Sequence, residues 1–168
     1  LASTHTRPLR DYDDLTGGDA FITNDMPAMV AIPTTAGTGS EVSRSAVVTL
    51  EANHRKTVLF SPYLMPTLAI LDPALTAGLP AKLTAATGMD ALSHNLEAYL
   101  SKGFHPMADS IALEGIRLVG SWLEKAVTDG RDLEARSHML MASLMGAVAF
   151  QKGLGVCHSL AHPLSSEA

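Results

Sequence analysis

The chain has 168 residues, an apolar fraction of 46% and a formal net charge of -5, enough length and apolar content for one sizeable core or two small ones. So mild a negative balance, with no cluster of Lys and Arg, excludes a phosphate-tracking surface and gives no reason to expect a nucleic-acid partner. The single cysteine, Cys157, excludes an internal disulfide framework and suits a reducing cytoplasm.

Residues 1–24 are polar, with Arg7-Pro8-Leu9-Arg10, the acids Asp11, Asp13 and Asp14 and the turn pair Gly17-Gly18, and read as a surface connection. Residues 29–32 (Met-Val-Ala-Ile) predict a short buried strand ended by Pro33. Next comes Thr34-Thr35-Ala36-Gly37-Thr38-Gly39-Ser40-Glu41. Its glycines would let the backbone approach a ligand, and its hydroxyls could bond phosphate or ribose oxygens. A loop after a strand is where open α/β sheets bind cofactors. It matches neither G-x-G-x-x-G nor a P-loop, so an ordinary Gly/Thr turn is the plainer alternative.

Residues 46–50 and 56–60 predict a hairpin around the polar turn 51–55, lying over that loop. Lys56 could set an ammonium beside a phosphate or sit as a solvated edge-strand lysine, and His54 reads as a turn residue. Residues 68–71 predict another buried strand, stopped by Asp72-Pro73.

From Pro73 onward nothing reads as strand. Residues 81–100 predict a helix; His105-Pro106 opens a second that runs to Gly130, with proline suited to the first turn. Residues 131–152 predict a third, whose segment 139–150 is apolar nearly all round and should be buried. That apolar run falls short of the roughly 20 residues a bilayer span requires. Gly153 and Gly155 then break the chain. The change in texture places a boundary near Asp72, with the tail of an α/β cofactor domain in residues 1–72 and the start of an all-helical domain in 73–168.

Asp90 and His94 lie four residues apart on the first helix and leave the same face one turn apart. His158 and His162 repeat that spacing near the end. Each pair alone is equally read as a helix-terminal acid or a hydrogen-bonded core histidine. Facing each other, the two turns could close three or four ligands around one divalent cation. Cys157 reads as a small buried hydrophobe rather than a nucleophile, because no base accompanies it. His5, His105 and His138 match no motif.

Four ordered stretches, residues 33–42 (PTTAGTGSEV), 71–80 (LDPALTAGLP), 85–99 (AATGMDALSHNLEAY) and 153–164 (GLGVCHSLAHPL), resemble successive signatures of the iron-containing, group III alcohol dehydrogenases. The resemblance implies a dehydroquinate synthase-like fold: the α/β tail of a dinucleotide-binding domain followed by an all-helical metal-binding domain, with the active site in the cleft between. It implies hydride transfer between an alcohol and NAD or NADP, with Fe2+ polarising the alcohol oxygen. Carried over position by position, it makes Asp90, His94 and His158 metal ligands and sets Thr34, Thr35, Thr38, Ser43 and Lys56 against the dinucleotide. His162 falls beside nicotinamide and substrate, where an imidazole could carry the alcohol proton toward solvent.

The family's Gly-rich pyrophosphate motif and its fourth ligand, a histidine, have no counterpart in these 168 residues. The expectation is therefore an internal fragment of a longer cytoplasmic enzyme, homo-oligomeric, acting on a small alcohol or aldehyde, with no membrane association. Two alternatives stand beside it. One is a Zn2+ enzyme like the glycerol dehydrogenases, which use an Asp and two histidines; the other is a catalytically silent helical interaction piece.

Overall fold

The computed structural model describes residues 1, 3–50 and 55–167. Strands and 3-10 turns fill the first part of the chain and four α-helices the second: α1 (Ala81–Leu100), α2 (Pro106–Thr128), α3 (Leu133–Ala149) and α4 (Val156–Glu167). Helix α2 starts where proline fits the first turn, with the His105 ring accepting from the Ala108 N–H at 3.1 Å. Asp132 caps α3 by accepting from the Ala135 N–H at 3.0 Å. The expected third helix thus begins two residues late, and its last turn, Phe150–Lys152, tightens to 3-10 before Gly153 turns the chain at φ +148°.

Helices α1, α2 and α3 pack around Ala91, Leu118, Val119, Ala126, Ala135, Met139 and Ala142. So many alanines bring the helix axes close, and one polar residue marks the tightest point. Asn95 on α1 is fully buried and donates to the carbonyls of Ala91 and Ala142 at 2.8 and 2.9 Å. Its amide fits only because Gly115 on α2 and Gly146 on α3 lack side chains: a Cβ would lie 2.0 Å from Asn95 Oδ1 at the first and 2.8 Å from Nδ2 at the second. Arg136 on α3, also buried, donates to the carbonyls of Leu79 and Gly130 and to the Thr84 hydroxyl, tying the helix to the entry of α1.

The strand half differs from expectation in two respects. Strands β1 (Val30–Ala31) and β4 (Leu68–Ala69) pair in parallel, Val30 opposite Leu68, but they are not buried. Val30, Ile32 and Leu68 are 54%, 48% and 52% exposed, because among the described residues no helical layer covers the faces of this pair. Strands β2 (Ser45–Leu50) and β3 (Arg55–Phe60) form the expected antiparallel hairpin, Ser45 opposite Phe60; the turn at 51–54, with His54, lies outside the described residues.

Residues 1–24 are not merely a surface connection. Residues 9–21 form short 3-10 turns, and Tyr12 within them and Ile22 just after them join Leu59 of β3 in a second small core. Asp13 is buried there and pairs with the Arg55 guanidinium. The hairpin packs against these turns and against α4. Among the described residues no single helix is long and apolar enough to cross a membrane.

Candidate metal centre

Asp90, His94 and Glu97 follow one another at i, i+4 and i+7, so a single face of α1 carries all three toward α4 and the loop after β1. His94 is almost wholly buried, while Asp90 stays about one-third exposed. Gly153 and Gly155 let the chain turn back after α3, and α4 then delivers His158 to the same spot. Asp90, His94 and His158 each point one ligand atom inward, and those atoms lie within 4.8 Å of one another. His158 Nε2 is 3.5 Å and His94 Nε2 3.9 Å from Asp90 Oδ1. The two imidazoles stack, centroids 4.4 Å apart and planes 15° from parallel.

What decides the chemistry of each ring is the other nitrogen. His94 Nδ1 donates to the Gly37 carbonyl at 3.2 Å, and His158 Nδ1 donates to Glu97 Oε2 at 2.6 Å. With both Nδ1 atoms carrying hydrogen, both Nε2 lone pairs face Asp90. This is the tautomer a metal-binding histidine needs. One oxygen and two imidazole nitrogens suit Fe2+ or Zn2+, and tetrahedral bonds near 2.1 Å would separate ligand atoms by roughly 3.4 Å, close to the two measured gaps. The residues fit a divalent cation with small inward movements.

Electrostatics follow from this crowding. Burial pushes the His94 imidazolium toward deprotonation, only partly opposed by the Asp90 charge, so its pKa falls below the usual value. His158 moves the other way: its hydrogen bond with Asp90, helped by Glu97, outweighs burial and raises its pKa. Burial alone would raise Asp90, but His158 and the neighbouring imidazole charges hold it below the ordinary carboxylate value.

The glycine loop also packs tightly onto the helices. Its glycines permit close approach to the protein's own helices. A Cβ at Gly37 would meet Thr87 of α1 at 2.9 Å, and one at Gly39, where φ is +58°, would meet Ala147 of α3 at 2.3 Å. Seated this way, the loop presents the Gly37 carbonyl to His94.

A cavity of about 950 Å³ opens beside the cluster, between the hairpin, the loop and α4. Asp90, His94, His158 and His162 line it together with Thr38 and Ser43. Thr34, Thr35 and Lys56 are not among its lining residues; Thr34 and Lys56 are exposed and Thr35 half-buried. Ser43 is buried, its hydroxyl 2.8 Å from that of Ser45. His162 lies one turn beyond His158, ring centroids 6.2 Å apart.

One residue departs from the sequence reading and another adds to it. Cys157 is exposed rather than buried, because its position at the start of α4 turns the thiol outward while its N–H donates inward to Glu97. Glu97 has a role that only its spacing on the Asp90–His94 face signals in the sequence. It is buried and accepts from the Gly155 N–H at 3.0 Å, the Cys157 N–H at 2.5 Å and the His158 ring. Burial alone would raise its carboxyl, but these donors hold it below the usual value. The other described histidines serve local structure: His5 accepts from the Thr23 N–H, His105 caps α2, and His138 stacks on Trp122 at 4.3 Å.

Fold and site together define a three-helix scaffold presenting a candidate oxygen–nitrogen–nitrogen centre for a divalent cation at the mouth of a cavity. Residues 1–73 match the iron-containing alcohol dehydrogenase family, and residues 84–168 match the C-terminal part of the Fe-containing alcohol dehydrogenase family. The chain belongs to the iron-containing alcohol dehydrogenases. It is 49% identical over 164 residues to a 4-hydroxybutyrate dehydrogenase of Cupriavidus necator, covering 98% of this chain and 43% of that protein. A crystal structure of a 1,3-propanediol oxidoreductase superposes with a TM-score of 0.91 at 44% identity, covering 99% of this chain and 43% of that one. A sulfoacetaldehyde reductase from Bifidobacterium kashiwanohense in complex with NAD+ gives a TM-score of 0.89 at 37% identity, covering 95% of this chain and 42% of that one. The chain thus spans less than half the length of these relatives.

Proposed function

We propose that this chain forms the metal-binding helices and the adjoining dinucleotide-binding elements of an enzyme that moves hydride between a small alcohol and NAD or NADP, with Fe2+ as the cation. The observation that carries this reading is the convergence of Asp90, His94 and His158 with both Nδ1 protons engaged elsewhere. A division near Asp72 accompanies it, residues 1–72 serving the cofactor and 73–168 the metal. The 4-hydroxybutyrate and 1,3-propanediol named for two relatives make short primary alcohols the first substrates to try, and the NAD+ complex of a third supports the dinucleotide.

When bound, the cation would supply Lewis acidity that favours loss of the alcohol proton, and the nicotinamide would accept the hydride. The chain supplies position and proton traffic. Asp90 and the two Nε2 atoms would hold the cation; the Gly37 carbonyl and Glu97 keep the rings from turning. Thr38 and Ser43 line the cavity where the dinucleotide would lie, with Phe60 and Leu64 forming an apolar wall that limits water. Thr34, Thr35 and Lys56 would contact parts of the dinucleotide outside this cavity. His162 receives the alcohol proton on an imidazole nitrogen and passes it to solvent.

Two variants of the full-length enzyme test this. His158→Ala should lose both bound metal and NAD-linked oxidation of 1,3-propanediol, whereas His162→Ala should keep most of the metal and lose turnover. Metal loss in His162→Ala as deep as in His158→Ala would make His162 a ligand, and full activity in His158→Ala would end the proposal.

A further inference from the structure

We propose that Glu97 is a positioning residue that sets both the tautomer and the placement of His158 for the metal, and that it does so by locking the start of α4 onto α1. This rests on the metal reading above.

Each of the two carboxylate oxygens is committed. Oε1 accepts the Cys157 N–H, and Oε2 accepts both the Gly155 N–H and His158 Nδ1. A carboxylate is needed for this pattern because all three partners are donors; an amide would turn an N–H2 toward at least one of them. The first two bonds satisfy main-chain N–H groups before and within the first turn of α4, which have no carbonyl of their own helix to bond. The third forces the hydrogen of His158 onto Nδ1 and leaves Nε2, 3.5 Å from Asp90, as the ligand atom.

Glu97 thereby links three things that otherwise vary independently: where α4 begins, which way the His158 ring faces and which nitrogen carries the hydrogen. His94 achieves the same end through a main-chain carbonyl, so the two rings are oriented by acceptors of different charge. Space at this point is equally restricted, since a Cβ on Gly155 would come within 3.1 Å of the Glu97 carboxyl.

The test is Co2+ binding by the full-length enzyme, read by chelator competition and by the visible ligand-field spectrum, together with 15N shifts of His158 in the Zn2+-loaded form. Glu97→Gln should weaken Co2+ by about 10–100-fold, as outer carboxylate partners of metal-bound histidines do. It should also change the ligand-field bands, with Glu97→Asp recovering part of both. Gly155→Ala, which keeps the charge but crowds the carboxyl, should weaken Co2+ several-fold and shift the bands in the same direction. In the Zn2+ form of the wild type, His158 should show Nδ1–H.

Wild-type affinity and an unchanged spectrum in both Glu97→Gln and Gly155→Ala would overturn the role of Glu97 while leaving the metal site standing. No Co2+ binding by the wild type would overturn the metal reading and this inference with it. Should Glu97→Gln fail to fold, Gly155→Ala and the His158 shifts decide the matter alone, and Nε2–H at His158 in the loaded wild type would be decisive against it.

Discussion

The helical part of this molecule encloses an apolar core of its own and the paired strands β1 and β4 do not, although both leave large apolar side chains exposed, Met89, Leu100 and Leu113 on the helices and Val30 and Leu68 on the strands. Helices α1 to α3 close on one another until alanine meets alanine and an asparagine fills the space left by two glycines. The paired strands β1 and β4 leave valine, isoleucine and leucine in the open. Parallel strands are ordinarily covered on both faces, whereas packed helices can bury an apolar stripe against one another. The candidate ligands sit on the part that encloses a core, Asp90 and His94 on the packed helix α1 and His158 on a helix tied to it by Glu97.

The comparison can be broken most forcefully at the helical contact. Gly115→Ala would place a methyl group within 2.0 Å of Asn95 Oδ1, and should cost about 1–3 kcal/mol by overpacking, measured by urea denaturation. A cost below a few tenths would show the bundle to be looser than described.

Next comes pH. In the metal-free protein His158 titrates above its ordinary value of 6.5, so its pairing with Asp90 and Glu97 stabilises the fold fully below that value. The contribution is lost as pH rises through the raised value. Metal binding has the opposite sign, because the cation needs His158 without its second proton. Affinity should therefore climb by up to roughly tenfold per pH unit, about 1.4 kcal/mol, until the raised value is passed. Titrations of Co2+ affinity across that range check it, and a flat profile would contradict the assigned direction.

Removing the α3 cap with Asp132→Ala should cost about 1 kcal/mol in the same denaturation experiment. Smallest of all, Leu68→Thr on the exposed strand pair should fall within about 0.5 kcal/mol of neutral when the 168 residues are measured alone. A loss as large as that of Gly115→Ala would erase the distinction between the two parts.

Much of this was legible in the residues themselves. The first helix was readable to its ends because Pro80 and the Ser101-Lys102-Gly103 stretch bracket a long run without breakers. Asp90 and His94 were visible as a pair because helical period alone puts them on one face. That His158 would join them could not be derived from period, since the meeting depends on how α4 folds back after Gly153; the family signatures supplied it.

The misses share a cause. Val30 and Leu68 have the composition of covered strands, and composition reports what a residue prefers rather than what lies over it. Tyr12 and Ile22 looked like isolated apolar residues in a polar stretch until the hairpin gave them Leu59 as a neighbour. Glu97 carries no local signal beyond its spacing, because an acid on a helix is usually solvated and its three partners come from a segment about 60 residues away.

The bond from the His94 ring to the carbonyl of Gly37 has one more implication. Every amino acid carries that oxygen, so no side-chain exchange at position 37 can delete the acceptor, and a conventional substitution scan would register only the crowding against Thr87. The anchor would instead yield to backbone chemistry: replacing the amide between residues 37 and 38 by an ester, which makes a poorer acceptor, would loosen one imidazole while leaving every side chain as it is.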